Sequence, residues 1–198
     1  CDVVKQSVEI SKADWDSFET SWDFDGLPLV KDVEVKMGLF AAYNEWQALT
    51  DVRFSQIKNN EQILNRIFAD IYGLSDEITA EIKDDDVTLT RANIQRDIRL
   101  LVSYAVGCMF GRYSLDKSGL VYGGGIWDET LYSTYEADAD NIIPICDDEY
   151  FEDDIVDRFI RFIEVVYGKE TLQDNLKFIA NALGGKGQPV EAIRSYFL

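Results

Sequence analysis

Residues 90–111, "TRANIQRDIRLLVSYAVGCMFG", decide the fold. Ile94, Ile98, Leu101, Ala105 and Met109 recur at spacings of three and four, the repeat of a helix with one buried face. Past Leu100 the stretch is apolar nearly all round, which predicts a central helix enclosed by others. The apolar run 100–110 is far shorter than the roughly 20 residues that cross a bilayer, so no membrane partner is expected. Thr90 is the expected start and Gly111 the expected end. Arg112, Tyr113, a charged turn and "YGGG" follow directly.

Upstream, Ser11 is expected to cap a short helix, "SKADWDSFETSW", which Gly26 and Pro28 of "DGLPLV" interrupt. Val35, Leu39, Ala42, Tyr43, Trp46 and Leu49 recur at helical spacing. After "KNNE" a second helix carries Ile63, Leu64, Ile67, Phe68 and Ile71 and ends at Gly73, a left-handed cap. "SDEITAEI" predicts a further short helix and "DDDVTLT" a brief strand. Downstream, residues 111–154 are the least regular. "NIIPI" reads as a short extended segment that Pro144 confines to a sheet edge. Three helices close the chain. Ile155, Phe159, Phe162 and Val166 share one face before Gly168, and Leu172, Leu176, Ile179 and Leu183 share another before Gly184. The last begins near Val190.

The fold class is therefore mainly α: an irregular helical bundle with one long ordered loop and at most short strands. As a single helical domain, 1–198 divides into four parts: an N-terminal aromatic and acidic segment (1–30), a helical core (31–111), a long loop with an acidic tract (112–154) and C-terminal helices (155–198). The chain begins with Cys and ends in "EAIRSYFL", an apolar element, and is expected to be part of a longer protein.

The charge balance, 19 basic residues against 37 acidic for a net −18, opposes tight nonspecific binding to DNA, which needs many Lys and Arg contacts to phosphates. There is no histidine, so imidazole bases and imidazole metal ligands are excluded. Three cysteines, an odd and sparse set, argue against a disulfide framework and for a reducing, cytoplasmic setting. Cys108 lies in the apolar helix and reads as packing.

The glycines of "GLVYGGGIWDET" lack the Lys and Ser/Thr that follow a phosphate-binding loop and read as a turn. Residues 138–154 hold eight acids (Asp138, Asp140, Asp147, Asp148, Glu149, Glu152, Asp153 and Asp154) and no base. Acids just before Ile155 suit a helix dipole and the rest a solvated surface; a partner-binding patch is the functional alternative. Apolar residues stand where a calcium loop needs ligands, so no metal is expected. No carboxylate pair is singled out by spacing, and no catalytic or cofactor-binding residue is assigned. Trp15, Phe18 and Trp22 share one face if the segment is helical; that face docks on the core or on a neighbouring domain. Arg112, Tyr113 and Lys117 either finish the central helix, where cations suit the dipole, or display a contact to DNA.

Five separated blocks resemble one family in the same order: "EISKADWDSFETSWDF", "ILNRIFADIYGLSDEITAEI", "VSYAVGCMFGRYSLDKSGLVYGGG", "DNIIPICDDEYFEDDIVDRF" and "DNLKFIANALG". They are similar to the PglX family, adenine-specific DNA methyltransferases of BREX phage-defence systems that are close to fused restriction–methyltransferases. The resemblance implies a parent enzyme that moves a methyl group from S-adenosylmethionine to N6 of adenine in DNA. It also implies partners: the rest of that methyltransferase, DNA through it, and other defence-system proteins. The family's Asn-Pro-Pro-Tyr type motif does not occur among the three prolines, Pro28, Pro144 and Pro189. The resemblance thus implies a noncatalytic helical spacer between catalytic and DNA-recognition parts, with an acidic interaction module as the alternative.

Overall fold

The computed structural model describes residues 2–31, 38–148, 151 and 153–198. Six α-helices carry it: α1 (Asp2–Trp15), α2 (Leu39–Tyr72), α3 (Ile94–Met109), α4 (Ile155–Tyr167), α5 (Leu172–Ala182) and α6 (Pro189–Phe197). Single 3-10 turns lie at Asp84–Asp86, Glu129–Leu131 and Lys169–Thr171, and no strand occurs among the described residues. The fold is mainly α.

The central helix forms because its apolar side has partners on every flank. Ile98, Leu101, Ala105 and Met109 of α3 are wholly buried, and α3 packs against α4 and α5. It starts at Ile94 rather than near Thr90. Asn93 is the cap: its side chain accepts from Arg96 N–H at 3.0 Å, and Asp97 reaches back to Asn93 N–H at 2.8 Å. Each of the two bonds satisfies an amide that the first turn leaves open. Phe159, Phe162, Ile163 and Tyr167 of α4 complete the core with no exposed surface. Burying one such side chain stabilises the fold by about 1.5–3 kcal/mol. Tyr167 also donates its hydroxyl to Leu29 carbonyl at 2.7 Å, which ties "DGLPLV" to the core.

Several expected boundaries move. The N-terminal helix covers Asp2–Trp15, with Ser11 inside it rather than at its start. Residues 16–22 turn back on themselves instead of extending it. The helix expected from Val35 begins at Leu39, and Val35 lies outside the described residues. It runs through "KNNE" without a break, so two expected helices are one of 34 residues. Asn60, a weak helix former, is held there because its amide donates to Gln6 and to Ser7 of α1, each at 3.1 Å. The start of α2 is buried and Gly38 has no side chain to cap it; Asn175 of α5 accepts from Leu39 N–H at 2.9 Å instead.

Gly73 closes α2 in the left-handed region at φ 68°, as expected. Leu74 N–H then bonds back to Ala69 carbonyl at 2.8 Å, which turns the chain, and "SDEITAEI" makes one turn without propagating a helix. Val87 and Leu89 of "DDDVTLT" point one way onto Phe54 and Ile57, but the segment finds no ladder partner and is no strand. "NIIPI" is likewise irregular. The closing helices stop at Gly168 and just before Gly184, as the sequence predicts.

Candidate functional site

The loop after α3 is held by aromatic stacking and side-chain hydrogen bonds. Gly111 ends the helix at φ 72°, a backbone state that L side chains rarely adopt. A Cβ there would meet the Trp127 ring at 2.5 Å. Trp127 stacks on Tyr132 (4.6 Å between centroids, 7° between planes), and Tyr132 donates its hydroxyl to Gly111 carbonyl at 2.6 Å. The pair roofs the helix end. Ser114 donates to Leu131 carbonyl at 2.6 Å, and Asp116 accepts from Thr134 N–H at 2.8 Å and from its hydroxyl. Burial pushes the Asp116 carboxyl up, but these bonds outweigh it and hold it below its ordinary range. The loop is ordered by its own side chains.

Arg112, Tyr113 and Lys117 have unlike fates. Tyr113 is 3% exposed and faces inward. Its ring lies over Gly107, where a Cβ would sit 2.5 Å from it, and stacks on Tyr104 at 4.9 Å. Its hydroxyl donates to Glu19 Oε2 at 3.1 Å. Burial, and then the Glu19 carboxylate, push its hydroxyl up to about 12. Arg112 and Lys117 remain exposed, with the Arg112 guanidinium 5.5 Å from the Tyr113 ring centre.

The N-terminal aromatic residues do not share a helical face, because α1 ends at Trp15. Phe18 is half-buried beneath the Arg96 guanidinium at 5.5 Å. Trp15 and Trp22 are exposed, Trp22 completely. Folding nevertheless brings two candidate groups together. Glu19, Trp22, Arg112 and Tyr113 line one cavity of about 240 Å³, with Phe24 and Leu120 in its wall. Glu19 Oε1 is buried there without a hydrogen-bond partner. No residue spacing linked Glu19 to Tyr113, which lie 94 positions apart.

The acidic tract is not simply a solvated surface. Asp154 is fully buried, caps α4 by accepting from Val156 and Asp157 N–H at 2.9 Å each, and pairs with Arg194 of α6. Asp138 pairs with Arg158 and accepts from Ile142 N–H at 3.1 Å. Burial pushes both carboxyls up. For Asp154 the Arg194 hydrogen bond outweighs it, for Asp138 the Ile142 N–H and Arg158, so both lie below their ordinary range. Glu149 and Glu152 lie outside the described residues. Among the described residues no group of three or more Cys, Asp or Glu is arranged to hold a metal ion. Cys108 is buried, and burial pushes its thiol up to about 12, far from a thiolate at neutral pH.

The chain is 44% identical over 201 residues to the adenine-specific methyltransferase PglX of Lacticaseibacillus casei (strain Zhang), covering 98% of this chain. It is homologous to one region of PglX. It is also 38% identical over 206 residues to the adenine-specific methyltransferase BrxX of Escherichia coli O9:H4 (strain HS), covering 92% of this chain. The chain spans 17% of the length of PglX and likewise 17% of BrxX. No protein-family model matches it. No described helix is long and apolar enough to cross a membrane.

Proposed function

We propose that the chain is a noncatalytic helical spacer of a BREX-type N6-adenine DNA methyltransferase, acting in phage defence in the cytoplasm. It links the catalytic and DNA-recognition parts. The observation that carries this reading is a mainly helical body homologous to 17% of PglX, with no Asn-Pro-Pro-Tyr type motif in its sequence. S-adenosylmethionine is then used by the rest of the protein. The four segments 1–30, 31–111, 112–154 and 155–198 act as one scaffold. Trp15 and Trp22 face the neighbouring part of the protein, with Phe18 fixing the turn between them. Arg112 and Lys117, displayed beyond a helix end that the aromatic roof holds still, touch DNA phosphates. Tyr113 serves that contact from within by fixing the backbone beside Arg112. With a net charge of −18, the role in DNA binding is confined to such local contacts.

The test compares methylation of adenine in DNA by the intact protein and by the 198-residue chain alone. Activity is expected only from the intact protein; methylation by the chain alone refutes the spacer role. In the intact protein, Arg112→Ala and Lys117→Ala are each expected to weaken DNA binding across sequences and to reduce the salt slope by about 1. Unchanged affinity and an unchanged slope remove the contact.

A further inference from the structure

We infer that the last turns of α2 are a docking face for another region of the same polypeptide, one with an apolar centre and a Lys- or Arg-bearing rim. This rests on the spacer role and names a surface through which it works. Leu39, Ala42, Tyr43, Trp46, Phe54 and Ile57 form the buried side of α2. At 100° per residue, Leu64, Phe68 and Ile71 continue the same side, with Ile67 and Tyr72 at its margins. There the burial of this side stops, although Ala69, on another side of the same turns, is buried and Leu64 is half-buried. Ile67 is 41% exposed, Phe68 55%, Ile71 69% and Tyr72 72%, and Ile78 just beyond is 51% exposed.

Neighbouring elements run out before this point. α1 lies antiparallel to α2, with Ala13 and Ser17 at Arg53 and Gln6 and Ser7 at Asn60. The returning segment covers Phe54 and Ile57 with Val87 and Leu89, not the last turns. A helix of 34 residues is about 51 Å long, so α2 outreaches the core that its first half builds. Contiguous exposed apolar side chains continuing a core face mark a contact surface.

Two observations identify the occupant. A protein of the length of PglX has most of its chain outside the 17% matched here. The exposed charged residues of the segment that follows the face are mainly acidic, Asp76, Glu77 and Glu81 against Lys83, in a chain whose net charge is −18. Two copies of this face would oppose like charges, whereas a basic rim would complement it.

The test places a benzophenone photocrosslinker at Phe68 of the intact protein and maps the products by mass spectrometry. The expected product is a crosslink to the same polypeptide outside these 198 residues, lost on Ile71→Asp. A crosslink between copies, one confined to the 198 residues, or none overturns the inference. As a second measurement, Ile71→Cys in the intact protein is expected to resist maleimide labelling until the protein is unfolded; rapid labelling of the folded protein also overturns it. Failure here leaves the methylation comparison untouched, so the two readings fall separately.

Discussion

Two helices end in the same way and face opposite environments. α2 and α3 both stop at a glycine in the left-handed region, Gly73 at φ 68° and Gly111 at φ 72°. A Cβ at Gly73 would meet nothing within 4 Å, whereas one at Gly111 would strike Trp127 at 2.5 Å. Past Gly111 the chain is roofed by aromatic rings and tied by hydrogen bonds. Past Gly73 it turns away and leaves Phe68, Ile71 and Tyr72 uncovered. The same local signal therefore serves two purposes. At the closed end it fixes a display loop, and at the open end it finishes an arm.

The comparison breaks first at the buried ion pair that anchors the far side of the closed loop. Asp154→Ala removes the α4 cap and the buried carboxylate that pairs with Arg194, and is expected to cost about 3–5 kcal/mol in urea unfolding. Next comes the glycine contrast. Gly111→Ala combines backbone strain with the Trp127 clash and is expected to cost about 2–4 kcal/mol, while Gly73→Ala, with strain alone, costs about 1–2 kcal/mol. Equal losses at the two sites would sink the distinction. Tyr132→Phe, which leaves Gly111 carbonyl unpaired, is expected to cost about 1 kcal/mol.

The pH dependence sharpens the same contrast. The Asp138 and Asp154 carboxyls lie below their ordinary range in the folded chain. Their contribution is therefore present above the unfolded value, near about 4, and lost as pH falls through the folded values. Tyr113 shifts the other way, up to about 12, so its contribution holds below the unfolded value of about 10 and fades as pH rises toward 12. Denaturant midpoints measured across pH should fall at both ends, with the acid limb shallower in Asp154→Asn. The smallest effect is at the open end: Phe68→Ser in the isolated chain is expected to change stability by less than about 0.5 kcal/mol.

The helices with one strong apolar stripe were legible in the sequence. The stripes of α3, α4 and α5 carried their identity and their buried residues, because an apolar repeat at helical spacing has one low-energy answer. The five blocks of the PglX resemblance were also legible, and homology to PglX and BrxX agrees with them. The joining of two expected helices into α2 was not, since Asn59 and Asn60 read locally as a break. The bonds that the Asn60 amide donates to Gln6 and Ser7 of α1 favour helix there, and they join residues more than 50 positions apart. Residues 16–22 read as a helix from their aromatic spacing, but short turn bonds, Ser17 N–H to Asp14 carbonyl and Ser21 N–H to Phe18 carbonyl among them, turn the chain, and Phe18 packs under Arg96. Asp154 read correctly as an acid at the entry of α4, but its burial and that of Asp138 did not show, because their arginine partners lie 40 and 20 positions away.

The sequence by itself determined the helical class, the apolar faces and the two glycine stops, all of which depend on neighbours within a few residues. Tertiary structure decided what each stop is for. Whether a glycine is roofed by Trp127 or left open, whether Tyr113 faces DNA or Glu19, and whether an apolar stripe is covered along its whole length all depend on residues distant in sequence. Local periodicity carries no information about which distant surface arrives to cover it.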